Sequence, residues 1–255
     1  MASRFDLSGK TALITGGSRG LGLAIAHAFA DAGADIVVVS RKQQACDDAA
    51  AAIAVDHGVR TWAISCNVSS WSQSTDLVHE AEAATGGIDI LVNNAGLSPL
   101  YPSLSELSEA LYDKVFDVNT KGPFRLSTLL AEKMAARGAG SIINISSIES
   151  LHPTPGALPY AAAKSGLNTL TKGLARAYGP AVRVNAILAG PFLTDISKAW
   201  DLEAFEANAA VNIAMRRGGQ PDEIAGAALY FASEASSFTT GATLRVDGGV
   251  YGSTT

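Results

Sequence analysis

Cysteine is scarce, and what little there is carries no motif. Only Cys46 and Cys66 occur among 255 residues. They form no CxxC pair and no secretory-type leader precedes them, which argues against a disulfide framework and predicts two free thiols in a reducing cytoplasm. Histidine is sparse too. His27, His57 and His79 fall in helical patterns at no metal-ligand spacing, so no metal is expected and the three are read as ordinary surface or packed side chains. His152 either borders a substrate or is a plain loop residue. Positive charge never concentrates: 19 Lys and Arg stand against 24 Asp and Glu, a net charge of -5. Without a basic run, neither a nucleic acid held through its phosphates nor a polybasic membrane anchor is expected. Apolar runs stay short; none reaches the roughly 18 residues of a membrane span, and a soluble protein is expected. Linkers rich in Pro, Gly and Ser, internal repeats and low-complexity tracts are missing as well, and residues 1–255 are read as one domain.

What is present suits a filled core. Hydrophobic residues make up 47% of the chain and charged residues 17%, a balance too apolar for disorder. Short apolar runs at residues 11–15, 36–40, 61–65, 88–92, 141–145, 183–188 and 243–246 read as strands. Helical patterns at 21–32, 42–56, 71–85, 106–119, 122–137, 161–178 and 221–233 alternate with them. A strand buried on both faces needs covering helices, so this alternation predicts an α/β fold: a doubly wound, Rossmann-type, seven-stranded parallel sheet with helices on both faces. Gly33, Gly58, Gly86 and Gly138 follow four of the helices, where a left-handed terminal residue is expected. Residues 191–220 show no clear pattern and are read as a substrate lid, in which Trp200 and Phe205 either line an apolar pocket or close on the core.

The first strand runs through Gly16, Ser18, Arg19, Gly20, Leu21 and Gly22 into a helix. Glycines there permit a tight turn and close backbone approach, and the helix N-terminus offers N–H groups and a positive dipole end to a pyrophosphate. The spacing departs from GxGxxG; the strand–loop–helix context carries the reading. The second strand ends in Ser40 and Arg41. A carboxylate at this place would favour a free ribose 2′-hydroxyl; a guanidinium accommodates a 2′-phosphate, with Arg19 as a second prong. NADP(H) is therefore favoured, and NAD(H) stays open.

Asn93-Asn94-Ala95-Gly96, Asn119, Ser146-Ser147 and Tyr160-Ala-Ala-Ala-Lys164 lie at strand ends and loops that would converge on the carboxyl edge of the sheet. Lys164 falls one helical turn beyond Tyr160 on the same face. A phenol ionises near pH 10, so proton exchange at neutrality requires about 3 units of anion stabilisation, expected from the neighbouring ammonium and an oxidised nicotinamide. Ser147 would bond the substrate oxygen, Tyr160 would transfer the proton, and Asn119 would help a water chain reach Lys164. Strand alternation turns Ser146 away from the site.

With these motifs, the Gly190-Pro191 pair and the terminal Val246-Asp247-Gly248-Gly249, the sequence resembles the short-chain dehydrogenase/reductase family over nearly its whole length. The resemblance implies Asn119, Ser147, Tyr160 and Lys164 as the catalytic set, with Asn93 holding the central strand. It implies that Gly16, Gly20 and Gly22 hold a pyrophosphate, that residues 187–194 border the nicotinamide, and that Thr194 contacts its carboxamide. Asn67 before Val68 stands where the family usually has Asp, so the adenine is contacted by a neutral group. The family's Pro-Gly before the lid is here Ala189-Gly190-Pro191. The implied activity is hydride transfer between NADP(H) and a ketone or secondary alcohol, of carbonyl or β-ketoacyl reductase type. The implied assembly is a homotetramer. Two alternatives stay open: an NAD-preferring alcohol or sugar dehydrogenase with the same residues, and a non-catalytic dinucleotide-sensing protein.

Overall fold

In the central strands odd and even positions carry equally apolar side chains, and the computed structural model shows why. It describes residues 3–194, 197 and 201–250; Trp200 and part of the expected lid lie outside them. Strands β1 (Thr11–Thr15), β2 (Asp35–Ser40), β3 (Thr61–Ser65), β4 (Ile90–Asn93), β5 (Gly140–Ser147), β6 (Val182–Ala189) and β7 (Thr243–Val246) form one sheet in the order 3-2-1-4-5-6-7. Every pairing is parallel, as in the register Ala12↔Ile36 and Ala12↔Ile90. Alternate residues enter two cores. Ile14, Ile36, Val38, Ile90 and Val92 face one side, whereas Leu13, Val37, Val39 and Leu91 face the other. A strand with two buried faces has no polar stripe to show.

Helices α1 (Gly20–Asp31), α2 (Gln43–His57) and α8 (Ala225–Ala232) cover the first core. Helices α3 (Trp71–Thr85), α5 (Gly122–Arg137) and α6 (Leu158–Tyr178) cover the second. The expected doubly wound α/β architecture is thus present as a single Rossmann-like domain. Gly58, Gly86 and Gly138 end their helices in the left-handed conformation, and Gly33, two residues past the end of α1, has φ +93°. No helix among the described residues is long and apolar enough to cross a membrane.

Several expected boundaries were wrong. The helix expected at 106–119 is the shorter α4 (Glu109–Phe116), followed by a wide π-type turn (Asp117–Lys121) that leads without a break into α5. The region expected to lack pattern contains an eighth helix, α7 (Leu202–Asn212). Only Ala209 in it is fully buried, and a helix that buries so little leaves almost no apolar stripe in its sequence. The segment before and after it is pinned at both ends: Phe192 bridges Gly219, and the backbone N–H groups of Ala214 and Met215 donate to the carbonyls of Gly249 and Gly248 at 3.0 Å each. Phe205 lies in α7. Both cysteines are free and buried, and burial, with Asp76 and Glu80 nearby, pushes the Cys66 thiol up to about 11, which keeps it un-ionised.

Candidate active site

The carboxyl ends of β1 and β4 meet through one hydroxyl. Thr15 Oγ1 donates to the Val92 carbonyl and accepts the backbone N–H groups of Asn94 (3.0 Å) and Ala95 (3.1 Å). Asn94 returns the contact, its Nδ2 donating to the carbonyls of Thr15 (2.9 Å) and Gly16 (3.2 Å). These bonds hold the glycine loop against the β4 end. Gly16 has φ +65°, and a methyl there would stand 2.8 Å from Asn94 Nδ2. One at Gly22 would collide with the Gly16 carbonyl and with Asn94 Nδ2. The glycines are therefore required by close packing of loop, helix and β4, and Asn94 and Thr15 hold that packing together, a part the glycine motif alone did not disclose. Their signal was present: a Thr closing β1 and a second Asn after β4.

Helix α1 begins after Arg19, which is extended and supplies no side-chain cap. Its first-turn N–H groups have no acceptor within the helix, and they open beside a concave, glycine-lined loop. Ser18 lies in the same loop and Leu21 in the first turn of α1, and Thr194 packs 3.6 Å from where a Gly20 side chain would begin. Gly190 is held to β7 by a 2.9 Å hydrogen bond to the Val246 carbonyl, and a side chain there would stand 2.6 Å from the Asp247 Cα, so Gly190-Pro191 leaves the sheet through a gap only glycine fits. Ser40 at the end of β2 bonds the Cys46 thiol at 3.1 Å, and Arg41 next to it is exposed. Asn67 turns its carboxamide oxygen onto Ser69, at 3.3 Å to the N–H and 2.9 Å to the hydroxyl, and Val68 beside it is buried. The oxygen expected to meet an adenine amino group is thus already an acceptor within its own turn.

Asn93 faces away from the loop. Its Nδ2 donates to Ser127 Oγ (2.9 Å) and Asn144 Oδ1 (2.8 Å), and Asn144 Nδ2 donates on to Thr171 Oγ1 (2.8 Å). This buried chain ties β4 and β5 to α5 and α6. A polar network in the core is stabilising only when its members find partners, so each of these side chains depends on the next.

Ser147, Tyr160 and Lys164 come together where β5 ends beside the first turns of α6. The Ser147 hydroxyl lies beside the Tyr160 phenol and accepts the Glu149 N–H at 3.2 Å. Lys164 Nζ lies 5.7 Å from the Tyr160 ring centre and donates to the Ile145 carbonyl at 2.7 Å. Ser146, on the opposite strand face, reaches the Lys164 carbonyl at 3.4 Å. Asn119 sits in the π-type turn, where its Nδ2 donates to the carbonyls of Leu97 and Val115, both at 2.8 Å, and its Oδ1 accepts the Leu97 N–H at 3.2 Å. A methyl at Gly96 would stand 3.3 Å from Asn119 Oδ1 and 3.8 Å from Lys164 Nζ, so both groups flank that glycine.

The electrostatics differ from the expectation of an acidified phenol. Burial pushes Tyr160 up to about 12, the neighbouring Ser147 hydroxyl opposing and the Glu149 charge reinforcing it. Burial also brings the Lys164 amine down to about 7. An amine that gives up its proton near neutrality supplies little field to its neighbour, so in the chain alone desolvation outweighs the ammonium. Tyr160 therefore keeps its proton at neutral pH.

Of the histidines, His27 and His57 meet between α1 and α2, with Nδ1 of the first 3.0 Å from Nε2 of the second.

A family model described as Enoyl-(Acyl carrier protein) reductase matches residues 16–251. Dehydrogenase/reductase SDR family member 4 of Homo sapiens is 37% identical over 251 residues, 98% of this chain and 90% of that protein. The solved structure of a 3-oxoacyl (acyl-carrier-protein) reductase from Agrobacterium tumefaciens C58 with NADP bound has a TM-score of 0.92 at 34% identity, covering 98% of this chain and 97% of its own. That of a 7α-hydroxysteroid dehydrogenase complexed with NADH and 7-oxo glycochenodeoxycholic acid has a TM-score of 0.92 at 33% identity, covering 97% and 96%.

Proposed function

We propose, for a chain that belongs to the short-chain dehydrogenase/reductase family of oxidoreductases, that it reduces a ketone to a secondary alcohol with NADP(H), as a carbonyl or β-ketoacyl reductase. The observation that carries this reading is the Ser147–Tyr160 hydroxyl pair, with Lys164 Nζ 5.7 Å from the Tyr160 ring. Two adjacent hydroxyls present donors to one carbonyl oxygen, and a phenol that keeps its proton up to about 12 can release it to an oxygen that becomes an alkoxide. Reduction is the direction this protonation state serves.

A nicotinamide dinucleotide, when bound, supplies the hydride. The residues fit one: along Gly16, Ser18, Arg19, Gly20, Leu21 and Gly22 the start of α1 carries no side-chain cap, so its first-turn N–H groups are available to a pyrophosphate. Ser40 and Arg41 would hold the adenosine ribose with its 2′-phosphate, and Asn67 and Val68 the adenine. Ala95, Gly96, Tyr160 and Lys164 would line the ribose beside the nicotinamide, and Gly190, Pro191 and Thr194 the carboxamide. The preference for NADP(H) rests on the basic Arg41 where a carboxylate would oppose a phosphate. A lid over residues 191–220 and a homotetramer belong to the same proposal.

The test is a panel of ketones and secondary alcohols, each with NADP(H) and NAD(H), followed by nicotinamide absorbance, with Arg41→Asp in parallel. Ketone reduction faster with NADPH, and a switch toward NADH in Arg41→Asp, are expected. Faster turnover with NADH in the parent overturns the cofactor assignment. Tight dinucleotide binding without turnover of any carbonyl overturns the enzyme in favour of a dinucleotide-sensing protein.

A further inference from the structure

Away from the reaction, the C-terminal half of α1 and the last turn of α2 carry a group of donors that the hydride-transfer chemistry does not use. His27 Nδ1 and His57 Nε2 face each other at 3.0 Å, with ring centres 5.2 Å apart and ring planes at 61°. Asp56 Oδ2 lies 3.9 Å from His27 Nδ1, and the three ligand atoms all fall within 4.8 Å of one another. Behind His57, its other nitrogen, Nδ1, stands 3.9 Å from Asp31 Oδ1.

We propose that His27, His57 and Asp56 form a site for a divalent transition-metal ion of the zinc type that clips α1 to α2. A tetrahedral ion about 2.0–2.1 Å from each imidazole nitrogen holds neighbouring ligand atoms about 3.3 Å apart, so the two rings need to part by only a few tenths of an ångström. Two imidazoles and one carboxylate select zinc, cobalt or nickel over calcium or magnesium, which take oxygen donors. The donors come from two helices whose packing against β1 and β2 already holds them in register. A ligating histidine commonly directs its second nitrogen to a carboxylate, which fixes the tautomer and raises its basicity; Asp31, 3.9 Å from His57 Nδ1, is the carboxylate within reach of that position.

The proton inventory is consistent. Without metal, a neutral pair shares one N–H between the facing nitrogens, and either ring can be the donor. Metal binding moves that proton to the outer nitrogen of its own ring and leaves both facing nitrogens as lone-pair donors. A water completes the four-coordinate shell on the exposed side, where Asp56 is more than half exposed and His57 mostly covered.

The experiment uses the full chain without a polyhistidine tag, stripped of metal with a chelator. Cobalt(II) is titrated while the visible ligand-field bands are recorded, and zinc is titrated by calorimetry and thermal melting. Expected are one equivalent of cobalt with the intense bands of a four-coordinate ion, displaced by zinc, and a higher melting temperature with zinc. Loss of binding is expected in His57→Gln, and a loss of about 10-fold or more in affinity in Asp31→Asn. Asp56→Asn, at an exposed position, keeps the fold intact and should weaken binding as well. No cobalt spectrum, or the same affinity in parent, His57→Gln and Asp56→Asn, overturns the proposal and leaves a hydrogen-bonded histidine pair.

Discussion

Lys164 Nζ lies 5.7 Å from the centre of the Tyr160 ring, one helical turn along α6, yet its short hydrogen bond goes to the Ile145 carbonyl on the strand beneath. The lysine is anchored to the sheet first and faces the phenol second. That geometry makes it a fixed group under the reaction centre, with an amine brought down to about 7 by burial.

Replacing Tyr160 by Phe removes the proton donor and leaves the ring. Turnover of a ketone should fall by about 10²–10⁴-fold, the usual contribution of a positioned acid, while dinucleotide affinity measured by fluorescence changes little. Undiminished turnover would remove Tyr160 from its assigned role.

Lys164 also sets a pH dependence of stability. The unfolded chain keeps this proton up to about 10.5, whereas the folded chain releases it above about 7. Between those values the unfolded state binds more protons, so stability rises with pH, by about 3–5 kcal/mol in all. Tyr160 acts oppositely above about 10, because the folded chain holds the phenol proton up to about 12. Denaturant titrations across the lower window should show the rise in the parent and a much flatter profile in Lys164→Met; matching slopes would contradict the buried amine as its source.

A methyl group at Gly22 meets the Gly16 carbonyl and Asn94 Nδ2, and neither is a flexible side-chain end able to swing away. Gly22→Ala should destabilise the fold by about 1–3 kcal/mol, the usual range for overpacking, and should weaken dinucleotide binding as the loop is pushed off β4. Thermal melting together with dinucleotide titration checks both effects.

Asn119 satisfies three backbone groups, the N–H and carbonyl of Leu97 and the carbonyl of Val115. Asn119→Leu strands them in the interior, which should cost on the order of 3 kcal/mol. A lowered denaturation midpoint with an unchanged denaturant slope is expected. Full stability of the variant, with only turnover affected, would show that its hydrogen bonds to residues 97 and 115 are dispensable.

The strands were legible because short apolar runs bounded by polar residues suit a strand buried on two faces, as in the four consecutive apolar residues within Asp35–Ser40. Helix ends marked by glycine at positions 58, 86 and 138 were equally readable, since left-handed backbone leaves few alternatives. Helix α7 was not, because it presents little of itself to the core. The boundary of α4 was obscured by the π-type turn, which continues the helical pattern while rotating Asn119 toward Leu97.

Local chemistry alone therefore determined the order of strands and helices, the glycine loop at the head of α1 and the Tyr160–Lys164 spacing, because each depends on residues only a few positions apart. The tertiary structure decided what distant segments do to one another. His27 and His57 are separated by 30 positions yet meet at 3.0 Å, and Asn93 finds Asn144 across 51 positions. The proton affinities of Tyr160 and Lys164 belong to that second class, since desolvation sums over every atom packed around a group, whichever part of the chain contributes it.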